Sequence, residues 1–324
     1  MKIFTGRRAG ITVAKIMLTV IFLLAGAAYA WVRRDEFLGL HWPSALAIVI
    51  VAVAYVVNVF LTSTYNLITA RRLGADLMLG ESFMLSAVVA AGNFVLPVKA
   101  GAGVRAIYMK RVHDFPVSYF ASGALIFMLV SIFVISVAAM LLLYIIHLQQ
   151  GYFRLDLSIL FPLVMVASIF GVLAVRGKRE SASDEHESWL RSFRRSMFVI
   201  LGEKRLVLSS LVIVTTIFLV ASVVWTVALR EYAPDITLNE ALLLTASQIV
   251  SGFVTLTPGA AGFQELAALY VGQSFTATTA EIFAVLVWVR VVRTATAILV
   301  AIPCMWLLQE RLVSVARMAS GEKS

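Results

Sequence analysis

The chain has 324 residues, of which 61% are hydrophobic and 14% charged, and its formal net charge is +9. Soluble domains carry about 25% charged residues, so this composition excludes an ordinary soluble protein and indicates an integral membrane protein. The basic residues cluster between apolar runs, which favours membrane orientation over nucleic-acid binding as their role. One cysteine, Cys304, excludes an intrachain disulfide, and four scattered histidines predict no metal site, so we expect no cofactor.

Six segments are apolar and long enough to cross a bilayer, which takes roughly 20 residues. The predicted spanning helices are 12–31, 43–70, 118–147, 157–175, 206–229 and 281–308. The first follows a basic start and ends near Ala28, Tyr29 and Ala30. That pattern is shared by cleaved signal peptides and by retained first helices, and both interpretations stay open.

Two further apolar segments, 82–96 and 241–257, are too short to span, and each runs into a break rich in Pro and Gly. Half-length segments of this kind are typical of re-entrant hairpins, which dip into the membrane and return. We therefore predict re-entrant hairpins over 82–111 and 241–279.

The distribution of Lys and Arg predicts the orientation in the membrane. With the N-terminus in the cytoplasm, twenty of these residues fall on the cytoplasmic side and four on the other side. Cytoplasmic loops carry an excess of Lys and Arg, so both termini, including the tail 309–324, are expected in the cytoplasm.

The two hairpins occupy equivalent places in two halves of the chain, 1–150 and 151–308. With the predicted orientation these halves face opposite ways, as in many secondary transporters. The breaks also match in spacing, with a Pro four residues before a Gly: Pro97 and Gly101, Pro258 and Gly262. The predicted fold is an all-α polytopic membrane protein with about six spanning helices and two re-entrant hairpins in an inverted-topology repeat.

The only long polar segment is the predicted cytoplasmic loop 176–205. Within it, an aromatic or apolar residue recurs every fourth position, at Trp189, Phe193 and Met197. Three arginines lie off that stripe: Arg191, Arg194 and Arg195. This pattern fits a basic amphipathic helix on the membrane surface. A merely solvated loop is the alternative.

The break at 97–101 carries the first candidate site. Non-helical backbone at membrane depth requires surrounding protein or a water-filled cavity. We expect both tips to line a polar cavity, in which Lys99, Arg105 and the N-terminus of the returning half-helix would bind a phosphate. Lys99 and Arg105 as juxtamembrane anchors remain the alternative.

The second half offers Glu265, which is the only charged residue between 241 and 280, and two arginines in the last helix, Arg290 and Arg293. A charge at mid-membrane costs about 2.5–3.5 kcal/mol on insertion scales, so it usually faces the protein interior and marks a pathway. Two alternatives stay open. Glu265 could be only a structural partner of Arg105, Arg290 or Arg293, and the Arg293 side chain is long enough to reach the membrane surface by snorkelling.

Two motifs carry a family resemblance. The first reads Asn93, Pro97, Lys99, Gly101, Ala102 and Arg105, and the second reads Thr257, Pro258, Gly259, Ala260, Gly262 and Glu265. In this order they resemble the signatures of the transmembrane family that includes the flippase domain of lysylphosphatidylglycerol synthases, which also has an Arg in its last helix. Ala102 stands where that family has Glu, and Gln264 where Arg is frequent, so an acid–base pair is missing and the substrate stays open.

The resemblance implies that the protein moves a polar, anionic or phosphate-bearing lipid or lipid-linked precursor between leaflets of a bacterial inner membrane. Relatives are associated with aminoacylated phosphatidylglycerol, lipid-linked glycans and hopanoid pathways. The motif residues would bind the substrate. We expect no synthase domain and no enzymatic activity. The alternatives are a non-transporting partner of a glycosyltransferase or lipid-synthesis enzyme, and a membrane-embedded lipid-headgroup transferase.

Overall fold

A computed structural model describes residues 41–95, 100–151, 154–176, 189–253, 260, 262–273 and 275–319. Over these ranges the chain forms ten helices and no strand. In chain order they are α1 (Ala45–Arg72), α2 (Leu79–Val95), α3 (Ala100–His113), α4 (Val117–Gln150), α5 (Leu155–Arg176), α6 (Trp189–Gly202), α7 (Lys204–Arg230), α8 (Leu238–Ser251), α9 (Phe263–Gly272) and α10 (Thr279–Ala319).

Four helices, α1, α4, α7 and α10, are long and apolar enough to cross a membrane. They match the spans predicted at 43–70, 118–147, 206–229 and 281–308. The span predicted at 157–175 coincides with α5, whose apolar part over Leu155–Gly171 is shorter than the four. The span predicted at 12–31 lies outside the described residues.

The surfaces of the four long helices are mostly apolar and exposed. Only 22–39% of their most apolar windows is buried inside the protein. Leu141, Leu299 and Trp306 are each more than half exposed. An apolar surface of this extent indicates contact with lipid.

The short apolar segment predicted at 82–96 forms α2, which ends at Val95, while the one predicted at 241–257 forms α8, which already ends at Ser251. Each is followed by a short helix packed against it: α2 by α3, and α8 by α9. A Cβ on Gly101 would collide with the carbonyl oxygen of Val89, so only Gly lets α3 approach α2 this closely. A Cβ on Gly252 would lie 2.6 Å from the side chain of Gln264 in α9. Close approach at a glycine thus joins the helices in both pairs.

The two halves of the chain pack crosswise. Helix α2 contacts α1 from its own half and α10 from the other half, while α8 contacts α7 from its own half and α4 from the other. Helices α1 and α7 also pack directly on each other. The largest buried apolar cluster, around Trp225, Leu244 and Leu286, joins α7, α8 and α10.

Polar contacts gather at the two ends of the bundle. At one end Arg72 pairs with Glu203 at 3.1 Å, next to Lys204 and Arg205; we call this the basic end. At the opposite end the backbone N–H and the hydroxyl of Ser44 both donate to Glu231, each at 2.8 Å. Basic residues that the sequence analysis assigns to the cytoplasmic side therefore lie at one end of the bundle, and Glu231, assigned to the other side, lies at the opposite end.

Helix α6 lies at the basic end and has two unlike sides. Met197 and Ile200 are buried against Ile126 of α4 and Leu206 of α7, whereas Arg195 on the other side is exposed. For 189–202 the structure therefore shows a helix packed on the bundle and not a solvated loop, while its position on a membrane surface stays a prediction.

Candidate functional site

A cleft lined by both polar and apolar side chains lies where α1, α2, α7, α8, α9 and α10 meet. It has two lobes of about 250 and 340 Å³. Because the lobes share eight lining residues, we treat them as one feature, the central cleft; the shared residues are Tyr55, Ala90, Asn93, Trp225, Gln248, Gly252, Gln264 and Arg293. The larger lobe falls within the range of small-molecule sites, roughly 300–1,000 Å³.

The smaller lobe contains an ion pair between α9 and α10. Nη2 of Arg290 lies 2.6 Å from Oε1 of Glu265 and also donates to Oε1 of Gln264 at 3.2 Å. The other carboxylate oxygen of Glu265 accepts the backbone N–H of Gly262 at 2.7 Å. Gly262 precedes α9 with φ +83°, a conformation that favours glycine. Glu265 therefore caps its own helix while it neutralises Arg290.

Two glutamines tie α8 to α9 across the second break. The side-chain amide of Gln248 donates to the backbone carbonyl of Gln264 at 2.7 Å, and the amide of Gln264 donates to the carbonyl of Gln248 at 3.0 Å. Gln264 thus bridges Gln248 and Arg290 at the position where the sequence resemblance shows an Arg in many relatives.

Arg105 enters the larger lobe from α3 and is 4% exposed. Its guanidinium donates one long hydrogen bond, 3.4 Å, to Oγ of Ser86, and lies 5.8 Å from the ring centre of Phe120. Among the residues that the structure describes, no carboxylate pairs with it. A buried guanidinium has five N–H donors, so most of its hydrogen-bonding capacity is available to a ligand.

Arg293 projects from α10 into both lobes. Its guanidinium stands 5.5 Å from the ring centre of Tyr55 in α1. No acidic side chain in the described part of the chain forms an ion pair with it. The two arginines of α10 that line the cleft therefore differ, because Arg290 is neutralised by a carboxylate and Arg293 is not.

Two amides complete the polar lining. The side-chain oxygens of Asn58 and Asn93 are buried, and neither accepts a hydrogen bond within the described ranges. Asn93 belonged to the predicted site, but the sequence analysis missed Asn58. A signal was present, because Asn58, Thr62 and Asn66 recur every fourth residue in an uncharged helix and so share one face. All three line the larger lobe.

The structure brings part of the predicted site together. The predicted residues that line the cleft are Asn93, Arg105, Glu265, Arg290 and Arg293. Gly101 instead forms the packing contact between α2 and α3, and Gly262 the start of α9. The predicted residues that lie outside the described ranges are Pro97, Lys99, Thr257, Pro258 and Gly259.

The chemistry available in the cleft is that of binding an anion. Its single carboxylate among the described lining residues, Glu265, is occupied by Arg290 and Gly262. Two guanidinium groups, by contrast, have no carboxylate partner there. Arginine remains protonated and presents a planar fork of donors that matches phosphate.

The helices and the cleft define an all-helical, multi-pass membrane protein with a polar cleft between its helices. Residues 9–302 match the model of the family described as the lysylphosphatidylglycerol synthase TM region, and the chain belongs to this family. The resemblance read from the sequence motifs is thereby confirmed. A search of curated proteins found no match.

Proposed function

We propose that this protein moves a polar lipid or lipid-linked precursor, with an anionic or phosphate-bearing headgroup, between the leaflets of a bacterial inner membrane. The observation that carries the proposal is Arg105, a guanidinium that is 4% exposed, lines the central cleft and has no carboxylate partner among the described residues. Membership of the family is compatible with this role.

We further propose that α2–α3 and α8–α9 are re-entrant hairpins in an inverted-topology repeat. The crosswise packing supports this, since α2 and α8 each contact the preceding helix and the last helix of the other half. The basic end would face the cytoplasm together with both termini. The hairpins would then enter from opposite sides and meet at the cleft.

The proposed mechanism is transport, with no cofactor and no catalytic step. A phosphate is costly to move through hydrocarbon because it loses its hydration. The cleft arginines would replace that hydration while the acyl chains remain in lipid. Rocking of one half against the other would expose the cleft to each side in turn. A glycosyltransferase or lipid-synthesis enzyme that makes or uses the lipid is the protein partner class that we propose.

The test is a leaflet-translocation assay. Purified protein is reconstituted into liposomes that contain fluorescent anionic, zwitterionic or polyprenyl-phosphate lipids, and dithionite reports the fraction of label that has crossed. We expect one anionic class to move faster than in protein-free vesicles. Arg105→Glu should abolish this movement, because it places a negative charge where the headgroup binds.

The matched control is Arg111→Glu, which makes the same charge change at an exposed position six residues further along α3. It should translocate lipid at the wild-type rate. Transport that survives Arg105→Glu would refute the site assignment. No movement of any lipid by correctly folded protein would refute transport and favour the partner alternative.

A further inference from the structure

We propose that the central cleft selects a headgroup whose phosphate carries two negative charges, a phosphomonoester or a diphosphate, bound between Arg105 and Arg293. This inference rests on the proposed function and gives its substrate class. It follows from the charges that line the cleft and from the way they are paired.

The described lining of the cleft has four charged residues, Arg105, Glu265, Arg290 and Arg293. Glu265 and Arg290 cancel each other in a 2.6 Å ion pair. Two positive charges remain. The segments 96–99 and 254–259, which come soon after lining residues in the chain, contain no Asp or Glu, so they bring no carboxylate that would cancel these charges.

Arg105 is buried and Arg293 is partly buried, and the protein contacts of the two arginines do not compensate for this loss of hydration. Arg105 has one 3.4 Å hydrogen bond and the face of Phe120, and Arg293 has the face of Tyr55. A cation over an aromatic ring contributes only about 0.5–2 kcal/mol. Removing a buried charge from water costs several kcal/mol unless an opposite charge is present. A bound anion supplies that charge.

The two arginines face one space from opposite halves of the chain. Both line the lobe of about 340 Å³, Arg105 from α3 and Arg293 from α10. Each guanidinium can bind phosphate oxygens with two parallel hydrogen bonds. A phosphate with one negative charge neutralises only one of them, whereas a dianion neutralises both.

The amides of Asn58 and Asn93 refine the ligand. Their side-chain oxygens are buried in the same lobe and accept no hydrogen bond from the described residues. Donors next to the phosphate, either bound water or a headgroup hydroxyl, would satisfy both oxygens. A headgroup esterified with a basic amino acid, in contrast, would bring positive charge to a cleft that already carries two uncompensated cations, and we expect the cleft to reject it.

Binding in detergent tests the selection separately from transport. The thermal unfolding temperature of purified protein is measured at pH 8 against increasing short-chain phosphatidic acid and, in parallel, phosphatidylglycerol with identical acyl chains. At this pH a phosphomonoester is a dianion, since its second pKa is about 6. We expect an apparent Kd at least tenfold lower for phosphatidic acid.

The variants are Arg293→Gln and the double variant Arg105→Gln/Arg293→Gln. Each should reduce the preference for phosphatidic acid, and the double variant should abolish it. Arg293→Gln keeps the test valid should the double variant fail to fold. Arg72→Gln removes an arginine that is 51% exposed and lies outside the cleft, and it should retain the full preference.

The outcomes separate the two claims. Equal affinity for both lipids, or a preference that survives Arg293→Gln unchanged, would overturn the dianion inference even if lipids cross the membrane. A tenfold preference without any translocation would support the inference and refute transport. Glycerol 3-phosphate and inorganic phosphate are added separately. Should they bind as tightly as phosphatidic acid, the site recognises the dianion and the lipid is not its ligand.

Discussion

Arg290 and Glu265 form an ion pair of 2.6 Å inside the central cleft. Arg293, only three residues further along α10, stands over Tyr55 without an acidic partner among the described residues. Two arginines on one helix thus have different roles, because the first is held by α9 and the second is available to a ligand. The predictions below follow from this difference and from the hairpin packing.

Neutralising Glu265 should destabilise the protein. Glu265→Gln removes the ion pair with Arg290 and weakens the cap on the N–H of Gly262. Losing one partner of a buried pair costs about 3–5 kcal/mol, and the partial exposure of this pair, 26% for Arg290 and 16% for Glu265, places it at the lower end. Thermal unfolding in detergent measures the effect.

The double variant Glu265→Gln/Arg290→Gln is the control for that prediction. It removes both charges, so it should be more stable than Glu265→Gln alone. The shifts in unfolding temperature of Glu265→Gln and Arg290→Gln are also measured singly. If they add up to the shift of the double variant, the two side chains are not energetically coupled, which would contradict the ion pair.

Adding one methyl group at Gly101 should disrupt the first hairpin. A Cβ at this position would meet the carbonyl oxygen of Val89 in α2, so Gly101→Ala must push the helices apart at a cost of about 1–3 kcal/mol. Gly103→Ala is the matched control, because nothing lies within 4 Å of its Cβ. Equal unfolding temperatures for the two variants would contradict the close packing of α2 and α3.

Water access to the cleft can be measured with cysteines in a Cys304→Ala background. Ser86 lines the larger lobe next to Arg105, while Ser82, one turn earlier in α2, is fully buried and donates to the carbonyl of Ser63. A small anionic thiol reagent should modify Ser86→Cys at least about fivefold faster than Ser82→Cys, since the nearby guanidinium favours the thiolate. Similar slow rates at both positions would mean that water does not reach the lobe.

The sequence was most informative about the membrane helices. Three of the four long spans follow from uncharged apolar runs, and the fourth, 281–308, follows from an apolar run that includes Arg290 and Arg293. The two breaks follow from Pro and Gly in segments too short to span. These are local properties of the chain. The helix at 189–202 was predicted by its four-residue apolar period, though a solvated loop remained an alternative until Met197 and Ile200 were seen packed against α4 and α7.

The sequence alone could not predict which arginine pairs with Glu265 inside the cleft. Arg290 and Arg293 point in directions only about 60° apart on a helix, so which of them meets Glu265 depends on how α9 packs on α10. Likewise the role of Gly101 depends on the position of Val89 in another helix. Asn58 was missed because an uncharged amide disturbs an apolar run less than an arginine does. Its four-residue spacing from Thr62 and Asn66 nevertheless indicated a polar face.

The most direct test of the account is the initial rate at which reconstituted Arg293→Gln protein translocates the lipid that the wild type moves, compared with Arg72→Gln. Both variants remove one arginine, but only Arg293 lines the cleft. We predict at least a tenfold lower rate for Arg293→Gln and a wild-type rate for Arg72→Gln, with a cooperative unfolding transition in both variants as the check on folding. Equal translocation rates for the two variants would contradict a headgroup path through the central cleft.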